Sequence, residues 1–364
     1  MKKLLLPLFI LLLFIFPAPV SAAETDEMVE QQLEESGYYS LFSLIPEEAQ
    51  DYFDGSFDAD DLDKITLSGL ARKGLDMLRE KAAGPLTLFG SMMAVTLLSV
   101  LLSGWGNGST FRPVVSLTQT MLLAGTVVTA VRETASLLEK LSSFIFSFLP
   151  VFAAAAAASG KPASAVVWYG TTLSAVELFS AAVRHLVLPL ILIFVALSFC
   201  SVLTPDIHAS ELIKSVKSLA LWILSFCLTV FLALLTIKTS VSGATDGVTL
   251  KTAKFLLSSA IPVVGSAIGD AWAAVSGCLS LVKSTIGVFG IVVIGVTFLP
   301  QILYLGALSG LLSLGAAAAE TLSEKESAEV MRVSSSAVSV MLALLICYAL
   351  MLLAAIAMVL LASA

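Results

Sequence analysis

Charged and apolar positions segregate along this chain in blocks far longer than a helical or strand repeat. From residue 86 onward seven runs carry no Asp, Glu, Lys or Arg: Leu86–Trp105, Pro113–Val131, Leu141–Gly160, Leu186–Pro205, Ser218–Ile237, Ser284–Ala319 and Val333–Ala364. A helix of about 20 residues rises about 30 Å, the thickness of a bilayer's hydrocarbon core. One such run fits a buried core helix. Seven in series fit a polytopic membrane protein. The pattern therefore predicts an all-α fold with about six to eight transmembrane helices, some of them broken or re-entrant.

The runs differ in character. Leu86–Gly104 and Pro113–Val131 are joined by the polar turn Gly106-Asn107-Gly108-Ser109 and read as a helical hairpin. A charged loop, Arg132 to Lys140, then leads to a third span ending in the alanines Ala153 to Ala158. Small residues of this kind let helix backbones approach closely in lipid. Residues 162–183 are apolar but contain Glu177 and close on Arg184-His185. Residues 255–282 are interrupted by Pro262, Gly265, Gly269 and Asp270. Each of these two reads as one span, a re-entrant pair, or a surface helix with a loop. Ser284–Ala319 exceeds a bilayer as one straight helix, and Pro300 near its middle predicts two closely joined helices. Gly306 and Gly310 offer a G-x-x-x-G packing face. Val333–Ala364 is overlong for one pass, so that part of it would be interfacial.

The first 22 residues read as a cleavable signal peptide. Lys2 and Lys3 precede the apolar stretch Leu4–Phe16, then Pro17, Pro19 and the small residues Val20-Ser21-Ala22. An uncleaved anchor is the alternative. Residues 23–83 form an acidic extracytoplasmic segment whose end, from Ile65, carries Leu67, Leu70, Ala71, Leu75, Leu78 and Ala82 at helical spacing. Gly84-Pro85 would end that amphipathic helix. Residues 84–364 would then form the transmembrane domain.

Composition sharpens this picture. The chain is 58% hydrophobic and 13% charged, where soluble domains carry about 25% charged residues. Its net charge of −7 is concentrated at one end: residues 24–81 hold sixteen acidic and five basic side chains. No basic stripe for nucleic acid is present. Five spans between residues 86 and 237 put the loop 238–254, with Lys238, Lys251 and Lys254 against Asp246, in the cytoplasm. Lys214 and Lys217 fall outside, against the positive-inside rule. All four cysteines lie in apolar stretches and read as packing residues.

No catalytic constellation stands out. The sequence lacks H-E-x-x-H, G-x-S-x-G and a Walker-type loop, and its two histidines, His185 and His208, are isolated. No cofactor or metal is expected. Ala267-Ile268-Gly269-Asp270 is similar to the G-x-G-D of intramembrane aspartyl proteases but lacks the first glycine. A buried Asp270 would pair with Lys254 or Lys283 or line a polar path, and an interfacial helix end is the blander reading. Candidate path-lining or partner-contact residues are Asp246, Lys251, Lys254, Asp270 and Lys283.

The stretch Thr245-Asp246-Gly247-Val248-Thr249-Leu250-Lys251-Thr252-Ala253-Lys254-Phe255, then Ile261-Pro262-Val263-Val264-Gly265 and Asp270, resembles the stage III sporulation protein AE family of endospore formers. So do Leu281-Val282-Lys283-Ser284-Thr285-Ile286-Gly287 and Phe148-Leu149-Pro150-Val151-Phe152. The resemblance implies a multi-pass protein of the mother-cell (outer forespore) membrane. Its implied partners are other stage III A-operon proteins and the forespore stage II sporulation protein Q. It also implies a non-enzymatic subunit of the mother cell–forespore channel, one that forms or gates the path. A self-sufficient secondary transporter and a scaffold without a transport role are the alternatives. The lack of charged residues in the first five spans favours a subunit or scaffold over a transporter.

Overall fold

The computed structural model describes Leu41, Ile45, Pro46 and residues 67–103, 108–159, 161–204, 210–260 and 265–361. The expected signal peptide, nearly all of the acidic segment before residue 67, and the turn residues 104–107 lie outside the described residues, as do Pro262 and His208. Described elements are α1 (Leu67–Leu102), α2 (Gly108–Ala158), α3 (Pro162–Ala182), a π-helical turn (Val183–Val187), α4 (Leu188–Leu203), α5 (Ser210–Ala260), α6 (Gly265–Thr321) and α7 (Lys325–Leu361). Six helical segments among these residues are long and apolar enough to cross a membrane. The chain is an all-α, multi-pass membrane protein.

Several expected breaks are helical instead. The stretch Arg132–Lys140 is part of α2, which runs for 51 residues. Val131, Thr134, Leu137, Leu138 and Leu141 are buried, so an apolar stripe at helical spacing continues through the charges. Those charges occupy the outer face. Helix α1 likewise continues through Gly84 and Pro85. Pro300 lies inside an unbroken α6, with Phe298 and Leu305 buried on either side of it. Packing on neighbours holds the helix across the missing N–H. Residues 238–254, read as a loop, belong to α5, and their glycines and threonines offer no propensity reason for it.

Residues 162–203 form one rod with a π turn near its middle. The Leu188 N–H bonds back to the Val183 carbonyl five residues earlier, just before Pro189 at the start of α4. Widening the helix there relieves the clash that a proline ring makes with the preceding turn.

Helix α7 is the axis of the bundle. It packs along α6 for most of its length and touches α2, α3, α4 and α5. In its most apolar window 78% of residues are buried, against 22% for α1 and for α5. Most of this last apolar run is thus buried at the centre of the bundle. Helices α6 and α7 form an antiparallel hairpin. Its turn has Glu324 N–H bonded to the Ala319 carbonyl at 3.0 Å and Ser323 N–H to the Glu320 carbonyl at 3.1 Å. Ser323 takes the left-handed position, φ 62, that a glycine normally fills in this cap.

Close approach occurs at Gly287 and Gly290, not at the predicted Gly306/Gly310 pair. A Cβ at 290 would lie 2.4 Å from the Phe148 ring, whereas one at 306 or 310 would meet nothing within 4 Å. Phe148 cannot swing away. It stacks between Phe144 and Phe152 at 5.7 and 5.5 Å, and Phe152 meets Trp168 edge-on at 5.0 Å. The Trp168 indole N–H donates to the Ala355 carbonyl at 2.7 Å. This aromatic column ties α2 and α3 to α6 and α7.

Candidate functional site

Partway along α2, between its two apolar stretches, charged and polar side chains of several elements meet. There Glu139 of α2 meets Arg184 of the π turn at 3.4 Å, and the Tyr348 hydroxyl of α7 meets Ser142 at 2.9 Å. Ser142 in turn contacts Ser180 at 3.1 Å. The ion pair is exposed on both sides and contributes at most about 1 kcal/mol. Its value here is as a marker of level.

At this level a polar cavity of about 560 Å³ opens between three helices. Glu80 and Lys81 come from α1, Glu133 and Lys140 from α2, and Gln301 and Tyr304 from α6. Pro300 also lines it. A proline there leaves the carbonyl four residues earlier without its helical donor. The Gln301 Nε2 is buried and finds no hydrogen-bond partner among the described residues. Buried amides of this kind belong beside water or a polar solute. Two carboxylates, two ammoniums, an amide and a phenol around one cavity suit a hydrated passage or pocket for polar solutes. The set includes no activated nucleophile.

The residues singled out from sequence lie elsewhere. Asp246, Lys251 and Lys254 sit on the C-terminal part of α5, and Asp270 sits near the start of α6. Lys283, also on α6, is completely buried. Lys251 and Lys254 are helical neighbours at i, i+3. Asp270 and Lys283 are not neighbours. Thirteen residues on one continuous helix separate them by about 20 Å, beyond the reach of an aspartate and a lysine. The pairing expected between them is corrected accordingly. Lys283 also lies about 20 Å along α6 from Thr297 at the cavity wall, so the sequence-derived set and the cavity occupy different levels.

Reading the sequence missed Glu80, Lys81, Glu133, Lys140, Gln301 and Tyr304. The available signal was the short charged block between two apolar runs of α2, together with the Pro300-Gln301 pair inside an apolar run.

The family model described as "Stage III sporulation protein AE (spore_III_AE)" matches residues 63–363. The chain belongs to the stage III sporulation protein AE family. The match takes in nearly the whole described bundle, both cavity and candidate residues included. A stage III sporulation protein AE of Bacillus subtilis (strain 168) is 29% identical over 165 residues, covering 45% of this chain and 41% of that protein. No solved structure matches. Family membership places the chain in sporulation, and the six apolar helices make it a multi-pass membrane member.

Proposed function

We propose that this chain is a non-enzymatic subunit of a channel between mother cell and forespore, set in the outer forespore membrane, where it forms or gates the path through the bilayer. Other stage III A-operon proteins and the stage II protein Q are its partners in this reading. The observation that carries it is a cavity lined by four charged side chains that opens on the side of an apolar helical bundle of a sporulation family. Membrane interiors keep ionisable groups where water, ions or partners meet them. Asp246, Lys251, Lys254, Asp270 and Lys283 are proposed as further path-lining or partner-contact residues.

The test compares Gln301→Leu, which removes the buried amide, and Asp270→Leu with Glu177→Leu on the exposed face of α3. All are made in the native gene and matched for membrane abundance. Heat-resistant spore yield and a late forespore reporter are the readouts. Losses for Gln301→Leu and Asp270→Leu, with Glu177→Leu near wild type, support the path. Wild-type yields from the first two variants would replace it with the scaffold reading.

A further inference from the structure

One half of the bundle shows two incompatible surfaces at the same depth. Its level is fixed by contacts. Ser99 Oγ of α1 meets Glu324 Oε2 at the α6–α7 turn at 3.1 Å. Gln119 Nε2 of α2 donates to Thr96 Oγ1 at 3.0 Å. A Cβ on Gly315 of α6 would touch both Phe89 of α1 and Met331 of α7. At this depth α1 and α2 turn apolar side chains outward: Leu98 is 53% and Met121 67% exposed. Around the bundle at the same depth, Arg332 of α7 reaches Glu320 and Glu329, both at 2.7 Å, with all three side chains roughly half exposed. One turn beyond Arg332, the Lys217 Nζ of α5 donates to Ser336 Oγ at 2.6 Å. Glu211 and Lys214 continue the charged surface along α5.

Lipid all round would strand exposed ions in hydrocarbon. Water all round would wet a broad apolar face. Neither solvent alone suits this half. We propose that the charged flank made by the N-terminal turns of α5 and α7 and the last turn of α6 faces water within the depth of the membrane, while the α1–α2 flank faces lipid. That this water belongs to the conducting path rests on the function proposed above; that the flank is wet does not. Apart from the buried Glu324 at the turn, the six charged residues named here are three acidic and three basic, as suits a wall passing solutes of either charge.

The experiment uses the full-length chain in membranes of sporulating cells, with Cys200, Cys227, Cys278 and Cys347 replaced. Single cysteines are placed by Lys214→Cys and Glu329→Cys on the charged flank, and by Leu98→Cys and Met121→Cys on the apolar flank. A charged thiol reagent is supplied to both faces of permeabilised cells, and a diazirine-bearing phospholipid is photolysed in parallel. The inference expects the reagent to modify the first pair and spare the second, with lipid crosslinks on α1–α2 peptides. Modification of all four overturns it, because that half then stands outside lipid. So does protection of all four, because the charged flank is then dry. Absence of lipid crosslinks on α1 and α2 overturns it as well, since protein then covers that flank. Given the expected pattern, loss of the late forespore reporter on modifying Lys214→Cys links the water to the path. An unchanged reporter leaves the wet flank standing and defeats the channel role instead.

Discussion

Three single positions show how packing sets what a backbone tolerates. Ser323 holds a left-handed conformation that costs a non-glycine residue about 1–2 kcal/mol. Its hydrogen-bonded cap has no need of a side chain there. Ser323→Gly should therefore raise the thermal unfolding midpoint of detergent-purified protein, consistent with a gain of about 1 kcal/mol. Two of the close glycine contacts sort differently. At Gly290 an added methyl meets a phenylalanine ring locked in a stack, while at Gly315 it meets the sulfur of flexible Met331 at 2.8 Å. Gly290→Ala should cost about 1–3 kcal/mol, and Gly315→Ala clearly less, in the same unfolding measurement. Equal losses would mean that the aromatic column yields more readily than its stacking suggests.

At the scale of elements, the existence of helices was legible and their ends were not. Charge-free runs report lipid-length segments reliably, because hydrocarbon excludes charge. They cannot report whether the charged residues between two runs form a loop or continue the helix. In α2 the answer lay in a buried stripe, Val131 to Leu141, that continues beneath the charges. In α6 a proline that should have split the run is carried by its buried neighbours. The same continuity decides a genetic question. Asp270 and Lys283 lie too far apart along α6 to act as a pair, so their effects should be independent. Sites more than about 7–10 Å apart usually add. The double variant Asp270→Leu, Lys283→Leu should show the combined spore-yield loss of the two single variants. A double no worse than either single would mean that they act through one shared interaction.

For the molecule as a whole, the membrane class and the family followed from the sequence, and the candidate site did not. Asp246 to Lys283 drew attention because they interrupt or edge apolar segments. The cavity needed three helices brought together: α1 and α2 supply its charges, and α6 its amide and phenol. No spacing along the chain encodes that meeting. The central place of α7 was equally hidden, since a long apolar run looks the same in the middle of a bundle as at its edge. That central place bears on how the protein is made. A ribosome finishes α2, α3, α4, α5 and α6 before α7 exists. Until then the indole N–H of Trp168 and the hydroxyls of Ser142 and Ser180 face a seam whose filler has not been synthesised. The newborn chain must wait beside the insertion machinery with its centre open, and it closes only when its axis arrives.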